Sequence, residues 1–296
     1  MYKKVIFFIV ILITLSFAQN TFPDENEKYL LIRLDDFGMC HSVNLAVKKV
    51  INSGLVFSTS VMFACPWYQE AVEILSENPQ ISVGVHLTLN AEWKNYRWGP
   101  VIGPKDASTL VDSNGYFFPS RGALFDNDPD IDQIESELRA QVDRAVNSGI
   151  QIDYLDYHMG AAVQTPQTRA VVEKLAKEYN LGIAQYYGET YSNASYYAPT
   201  GSKADSLAKT VTEFKEGDIN LQVVHVGLND AELQALHDLN PWGPKDMSVQ
   251  RQGELDAILS GMFRDALKQN DVKVITYRTL NELIGTENMI RPEDFK

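Results

Sequence analysis

Cysteine is nearly absent: Cys40 and Cys65 are the only two in 296 residues. Two cannot build a zinc finger, a disulfide framework or an iron–sulfur cluster. Long apolar runs are missing as well, since the longest (residues 5–17) falls short of the ~20 residues that cross a bilayer. There is no Lys/Arg-rich run, and 26 Lys+Arg against 39 Asp+Glu leave a formal net charge of −13. The chain therefore lacks the electrostatic footprint of a nucleic-acid or anionic-membrane binder. No glycine fingerprint for dinucleotides or phosphates follows the first strand-like segment, and no basic cluster awaits a phosphate ester. No segment rich in Pro, Gly or Ser divides the chain. Histidine is scarce too, with five in all, which makes the position of each one informative. The remaining composition, 45% hydrophobic and 22% charged, is that of an ordinary globular protein.

Residues 1–18 read as a secretory signal peptide rather than as part of the fold. Tyr2-Lys3-Lys4 is a short basic start, an apolar run follows, and Ser16-Phe17-Ala18 places small residues at the two positions a signal peptidase reads. Cleavage is expected after Ala18, giving a secreted or periplasmic protein with no stable membrane insertion. Residues 19–296 then form a single domain. In an oxidising compartment Cys40 and Cys65 can pair; their plainer reading is as two small buried hydrophobes.

Strand-like and helix-like segments alternate along this domain. Residues 29–34, 57–63, 81–89, 152–157, 221–226 and 272–277 are short, largely apolar runs that read as strands. Between them Ser42 looks like an N-cap for a helix over 43–52. Residues 67–75 read as a second helix, and Ile131, Ile134, Leu138, Val142 and Val146 recur at helical spacing. Thr165-Pro166 opens a helix to about Tyr179, and a long helical pattern covers residues 249–269. Strand followed by helix, repeated, predicts parallel strands joined by crossovers. Strands apolar on both faces require helices on both sides. The length and the missing glycine fingerprint favour a (β/α) barrel over an open doubly wound sheet.

Polar chemistry gathers where these strands end. The first runs into Asp35-Asp36, the third into His86, the fourth into Asp156 and His158, and a later one into His225. In parallel α/β folds that edge is where active sites are built. A carboxylate and two imidazoles make a common half-shell for a divalent cation, with positions left for water and substrate. Side chains alternate along a strand, so two adjacent aspartates cannot share a face. At a strand-to-loop junction, however, one can bind a metal while its neighbour takes a proton from water, and a further histidine can protonate a leaving group. Taken singly, each residue also has a duller role, as a helix cap, a core histidine or an orienting partner. His41 and His237 have no such context.

These residues resemble a known family. Leu34-Asp35-Asp36-Phe37-Gly38 with Ser42-Val43-Asn44 is similar to the opening signature of the YdjC/ChbG-type carbohydrate deacetylases. Ser58-Thr59-Ser60-Val61-Met62, Val83-Gly84-Val85-His86-Leu87-Thr88-Leu89, Leu155-Asp156-Tyr157-His158 and Val224-His225-Val226-Gly227 follow in the family's order. The resemblance runs from about residue 30 to 283. It implies a distorted, TIM-like (β/α) barrel with a metal site at the C-terminal ends of the strands. It also implies metal-dependent hydrolysis of acetyl groups, chiefly N-acetyl, from a sugar or oligosaccharide. Carried over by position, Asp35 is the general base, Asp36, His86 and His158 hold Mg²⁺ or Zn²⁺, and His225 acts as acid or oxyanion stabiliser.

Two departures stand out. The family's fourth block continues with further histidines, whereas this chain reads His158-Met159-Gly160-Ala161-Ala162. Arg33-Leu34 also replaces small neutral residues ahead of the aspartate pair. With the leader, these suggest a secreted branch acting on a different substrate. The alternative is a catalytically inactive periplasmic glycan-binding protein on the same fold.

The insert between the third strand and the Ile131 helix is long for a loop without function. Its Trp93, Tyr96, Arg97 and Trp98, together with Asp156, are the candidate substrate-binding residues: aromatic faces stack on sugar rings and Arg bonds hydroxyls. The plainer reading of the insert is a satellite core that buries its own aromatics. Trp242 and the Tyr186-Tyr187 pair are further rim candidates, while residues 191–204 are polar and aromatic without a usable motif. The expected partner is an acetylated carbohydrate, and a homodimer is compatible with the sequence.

Overall fold

The computed structural model describes residues 22–292; the leader lies outside them. The described residues form eight strands: β1 (Lys28–Phe37), β2 (Ser58–Val61), β3 (Ser82–Leu87), β4 (Tyr154–Tyr157), β5 (Gly182–Ile183), β6 (Thr190–Ser192), β7 (Ile219–Val224) and β8 (Val272–Ile275). All their pairings are parallel. The order is β5-β4-β3-β2-β1-β7-β6, with β8 joined to β1 beside this path. The sheet curls but its ends, β5 and β6, carry no pairing to each other. The result is a distorted, TIM-like α/β half-barrel. Among the described residues no helix is long and apolar enough to cross a membrane.

The helices are α1 (His41–Asn52), α2 (Tyr68–Ser76), α3 (Arg121–Phe125), α4 (Ile131–Asn147), α5 (Pro166–Tyr179), α6 (Ala194–Tyr197), α7 (Lys203–Thr212), α8 (Ala231–Gln234), α9 (Met247–Leu259), α10 (Gly261–Gln269) and α11 (Tyr277–Leu283). Alternation along β1 explains the two hydrophobic clusters. Leu30, Ile32 and Leu34 face the helices, while Tyr29 and Leu31 face the barrel interior with Leu221, Val223 and Ile275. Arg33 and Asp35 continue the inward row at the upper end.

Inside the barrel, Tyr154 stacks on Tyr277 with ring centroids 4.0 Å apart and shares a hydrogen bond with Ser60 Oγ at 3.0 Å. Gly84 on β3, paired with Tyr154 in register, makes that ring possible: a Cβ at 84 would lie 2.4 Å from it.

Several local expectations need correcting. Helix α1 starts one residue ahead of Ser42, with Cys40 at its N-cap. Ser42 instead directs its hydroxyl to Asp230 and Glu232, at 2.6 and 2.7 Å. The long pattern over 249–269 is two helices, because Ser260 takes extended backbone angles and accepts the Phe263 N–H at 3.1 Å, restarting the helix. The last strand stops at Ile275, where Thr276 caps α11 in the same way. Thr165 and Pro166 open α5 at the expected residue. The two cysteines are buried free thiols, and burial pushes Cys40 up to about 12.

Replacing Gly84 by Ala is expected to destabilise the fold by about 1–3 kcal/mol, because Tyr154 cannot retreat without losing Ser60 and Tyr277. Urea unfolding measures this, and an unchanged midpoint would show that the ring is not confined.

Candidate metal centre

The β1–β2 register slips between Leu34 and Phe37, and Asp36 there adopts φ 65°. This left-handed angle is uncommon for a residue with a side chain. It cancels the strand alternation, so Asp35 and Asp36 both line one cleft. The surrounding turn is fixed locally. The Thr59 hydroxyl donates to the Leu34 carbonyl at 3.0 Å, and the Gly38 N–H donates to Asn44 Oδ1 at 2.8 Å. Gly38 itself sits at φ 83° with the Tyr68 backbone 2.9 Å from where a Cβ would stand.

On the neighbouring strands His86 stands opposite Asp156 in register, and His158 follows the end of β4. Asp36 Oδ1, His86 Nε2 and His158 Nδ1 form a triangle whose three sides are each 3.3 Å. Donor atoms about 2.1 Å from one cation are separated by about 3.0–3.4 Å, whether the geometry is octahedral or tetrahedral. Asp36 Oδ1 is buried without a hydrogen-bond partner. These residues fit a divalent cation in number, spacing and chemistry.

Each imidazole is held from behind by a carboxylate. His86 Nδ1 meets Asp156 Oδ2 at 2.7 Å, and His158 Nε2 meets Glu92 Oε2 at 3.0 Å. Such contacts fix which ring nitrogen points forward. Burial alone would lower both histidines. For His86 the Asp156 and Asp35 charges prevail and raise it to about 9; for His158 Glu92 and Asp36 raise it to about 10. Burial works against ionised Asp36, yet Arg251, with Nη2 2.5 Å from Asp36 Oδ2, and the two imidazoles hold it well below the usual carboxylate range.

Asp35 is clamped by both arms of Arg33: Nε to Oδ1 at 2.6 Å and Nη2 to Oδ2 at 2.8 Å. The third nitrogen of the same guanidinium pairs with Asp156 Oδ1 at 2.8 Å. Asp35, His86 and Asp156 also lie close enough to suggest a second cation group, but the Arg33 guanidinium already contacts both of its carboxylates. Just beyond the end of β7, His225 Nε2 is 3.9 Å from Asp35 Oδ2. Its backbone N–H donates to Glu254 Oε2 at 2.6 Å, and its Nδ1 lies 3.8 Å from that oxygen.

The cleft above these residues has a volume of about 190 Å³. Asp35, Asp36, His86, His158 and His225 all line it, as does Trp93. Tyr96, Arg97, Trp98 and Asp156 do not, contrary to the expected rim. The Tyr96 hydroxyl donates to the Met39 carbonyl. Arg97 donates to the Phe117 carbonyl at 2.5 Å, and Trp98 to the Asn90 carbonyl at 3.0 Å. Trp98 also sets its ring edge-on to His158, 6.2 Å away. Asp156 is completely buried. The insert is largely a satellite core that backs the candidate metal ligands, because its aromatics find partners inward.

Other lining residues were not expected: Glu92, Asp238, Met247 and Arg251, and from one stretch Tyr191, Asn193, Tyr196 and Tyr197. A signal for two of the unforeseen polar groups does exist. Arg251 and Glu254 share the stripe of Leu255 and Ile258 at helical spacing, which places charge on a buried helix face. In place of the family's extra histidines, Met159 and Gly160 form a left-handed turn (φ 49° and 73°), with Met159 Sδ 2.9 Å from Asn90 Nδ2.

Comparison with known proteins accords with this arrangement. The family model described as YdjC-like protein matches residues 29–269. A carbohydrate deacetylase of Thermoanaerobacter pseudethanolicus is 34% identical over 157 residues, covering 53% of this chain and 59% of that relative. Carbohydrate deacetylase 1 of Listeria innocua is 27% identical over 263 residues, covering 85% of this chain and 99% of its own. A solved structure from Enterococcus faecalis V583, named for cellobiose-phosphate cleavage, superposes with a TM-score of 0.72 at 20% identity, covering 86% and 99% of the two chains. That likeness concerns the fold.

Calorimetric titration with Zn²⁺ or Mg²⁺ is expected to find one site, lost in His158→Ala. Glu92→Gln should weaken it by about 10–100-fold, the usual effect of removing a ligand's outer partner. Undiminished affinity in His158→Ala would rule out this triad as the centre.

Proposed function

This chain belongs to the YdjC-like family, and on that premise we propose that it is an exported, metal-dependent carbohydrate deacetylase that hydrolyses an acetyl group, chiefly N-acetyl, from a sugar or oligosaccharide. The observation that carries the reading is the 3.3 Å triangle of Asp36, His86 and His158 beneath a cleft that also receives Asp35 and His225. The carbohydrate deacetylases among its relatives supply the substrate class. The basic, apolar and small-residue pattern of residues 1–18 supports export.

Asp36, His86 and His158 would hold a divalent cation, which would supply Lewis acidity to the acetyl carbonyl and to water near neutral pH. The protein does the rest. Asp35 takes the proton of the attacking water. Its clamp on Arg33 leaves the carboxylate no freedom to rotate, so the base is oriented before substrate arrives. His225 faces the same space and delivers a proton to the departing amine, without which amide cleavage would expel a poor leaving group. Glu254 fixes that histidine through its backbone N–H. Trp93 and the aromatic wall of the cleft keep bulk water away from the reacting carbonyl.

Acetate release from a panel of N- and O-acetylated mono- and oligosaccharides tests the reading. Release is expected from at least one, abolished by chelator and restored by added divalent cation. Asp35→Asn should bind the cation normally yet lower the rate by about 10²–10⁴-fold, the usual contribution of a positioned base. Full activity in Asp35→Asn would remove that residue from the mechanism. Metal-independent binding of oligosaccharide, with no acetate from any substrate, would favour the inactive glycan-binding reading.

A further inference from the structure

The cleft's 190 Å³ is below the ~300–1,000 Å³ of sites that enclose a drug-sized ligand. Anything larger than a single ring must therefore continue over the rim. One side of that rim is built by residues 190–197, where Tyr191, Asn193, Tyr196 and Tyr197 all face the cleft. Tyr197 is 75% exposed, the most of any Phe, Tyr or Trp side chain among the described residues, so its ring is open to a ligand at the cleft mouth.

The stretch is held in place at some cost. Lys203 is 1% exposed, and its ammonium donates to the carbonyls of Ser195 at 2.7 Å and Tyr196 at 3.0 Å. Burying a lysine merely to satisfy two carbonyls is expensive unless the turn it fixes matters. The Ser195 hydroxyl adds a 3.3 Å bond to Glu254, the residue that holds His225. Tyr196 sets its ring edge against His225 at 5.4 Å, and Tyr197 stands at 86° to Tyr196, 5.2 Å away. The exposed ring is thus tied, through rigid neighbours, to the side chain assigned to the leaving group.

We propose that Tyr197 is a stacking platform for a second sugar ring, adjoining the one whose acetyl group reacts, and that it makes the protein select oligosaccharides over monosaccharides. This rests on the deacetylase reading for the identity of the reacting ring. Electrostatics favour stacking as the means of recognition. Among the described residues lining the cleft, Arg251 is the one guanidinium or ammonium, and it is engaged with Asp36. An uncharged ring offers C–H faces to an aromatic plane, and Asn193 and Asp238 are at hand for its hydroxyls.

The test separates the two claims. Binding of N-acetylglucosamine and its β-1,4-linked dimer to pentamer is measured by calorimetry in the metal-loaded Asp35→Asn protein, and acetate release is followed separately in the wild type. Affinity is expected to rise about five- to tenfold from monomer to dimer or trimer, the worth of one well-placed aromatic contact. Tyr197→Ala, at an exposed position that does not endanger folding, should collapse that ratio towards one, and Tyr197→Trp should retain it. Equal affinity at every length, absence of binding, or a length gain that survives Tyr197→Ala would overturn the proposal even if acetate is released. A Tyr197-dependent gain with no acetate release would uphold the platform and remove the deacetylase reading.

Discussion

Four carboxylates, those of Asp35, Asp36, Glu92 and Asp156, are buried in one layer at the mouth of the barrel, and charge balance there governs much else in the structure. Two guanidiniums, Arg33 and Arg251, lie among them. At formal charges two negative charges remain. In a medium that solvates ions poorly that residue must be neutralised. Two protonated imidazoles achieve it, which is why His86 and His158 are raised to about 9 and 10. One divalent cation on the same two histidines would achieve it equally.

Arg33 is the member of this layer that the family resemblance does not supply. It sits two residues before Asp35 on β1, so the strand period alone directs both inward. Its planar fork reaches two carboxylates at once, as a lysine's single ammonium does not. Asp35, Arg33, Asp156 and His86 thereby form one connected row from the proposed base to a proposed metal ligand. Such buried pairs contribute little net stability. Their physical value is that no member can rotate independently of the others.

Much of the architecture was legible in the chain. Apolar runs on both faces imply covered parallel strands, and the chemistry at their C-terminal ends follows from that topology. Trp93, Tyr96 and Trp98 were harder, because an aromatic-rich insert reads alike whether its rings face a ligand or one another. Residues 191–204 carried no periodic signal at all. Their turn is fixed from within by Lys203 and from distant segments by Gln222 and Glu254.

By itself, the sequence determined which residues stand at the strand ends, since periodicity and strand length place Asp35, His86, His158 and His225 on one edge. Only the tertiary structure decided that Asp36 joins Asp35 in the same cleft, because that depends on a left-handed bulge held by Thr59 and Asn44. It likewise decided that Asp156 backs a histidine instead of facing solvent, and that Arg251 reaches Asp36 across 215 positions. Local pattern fixes the direction of a side chain along a strand; which distant charge it meets is set by packing.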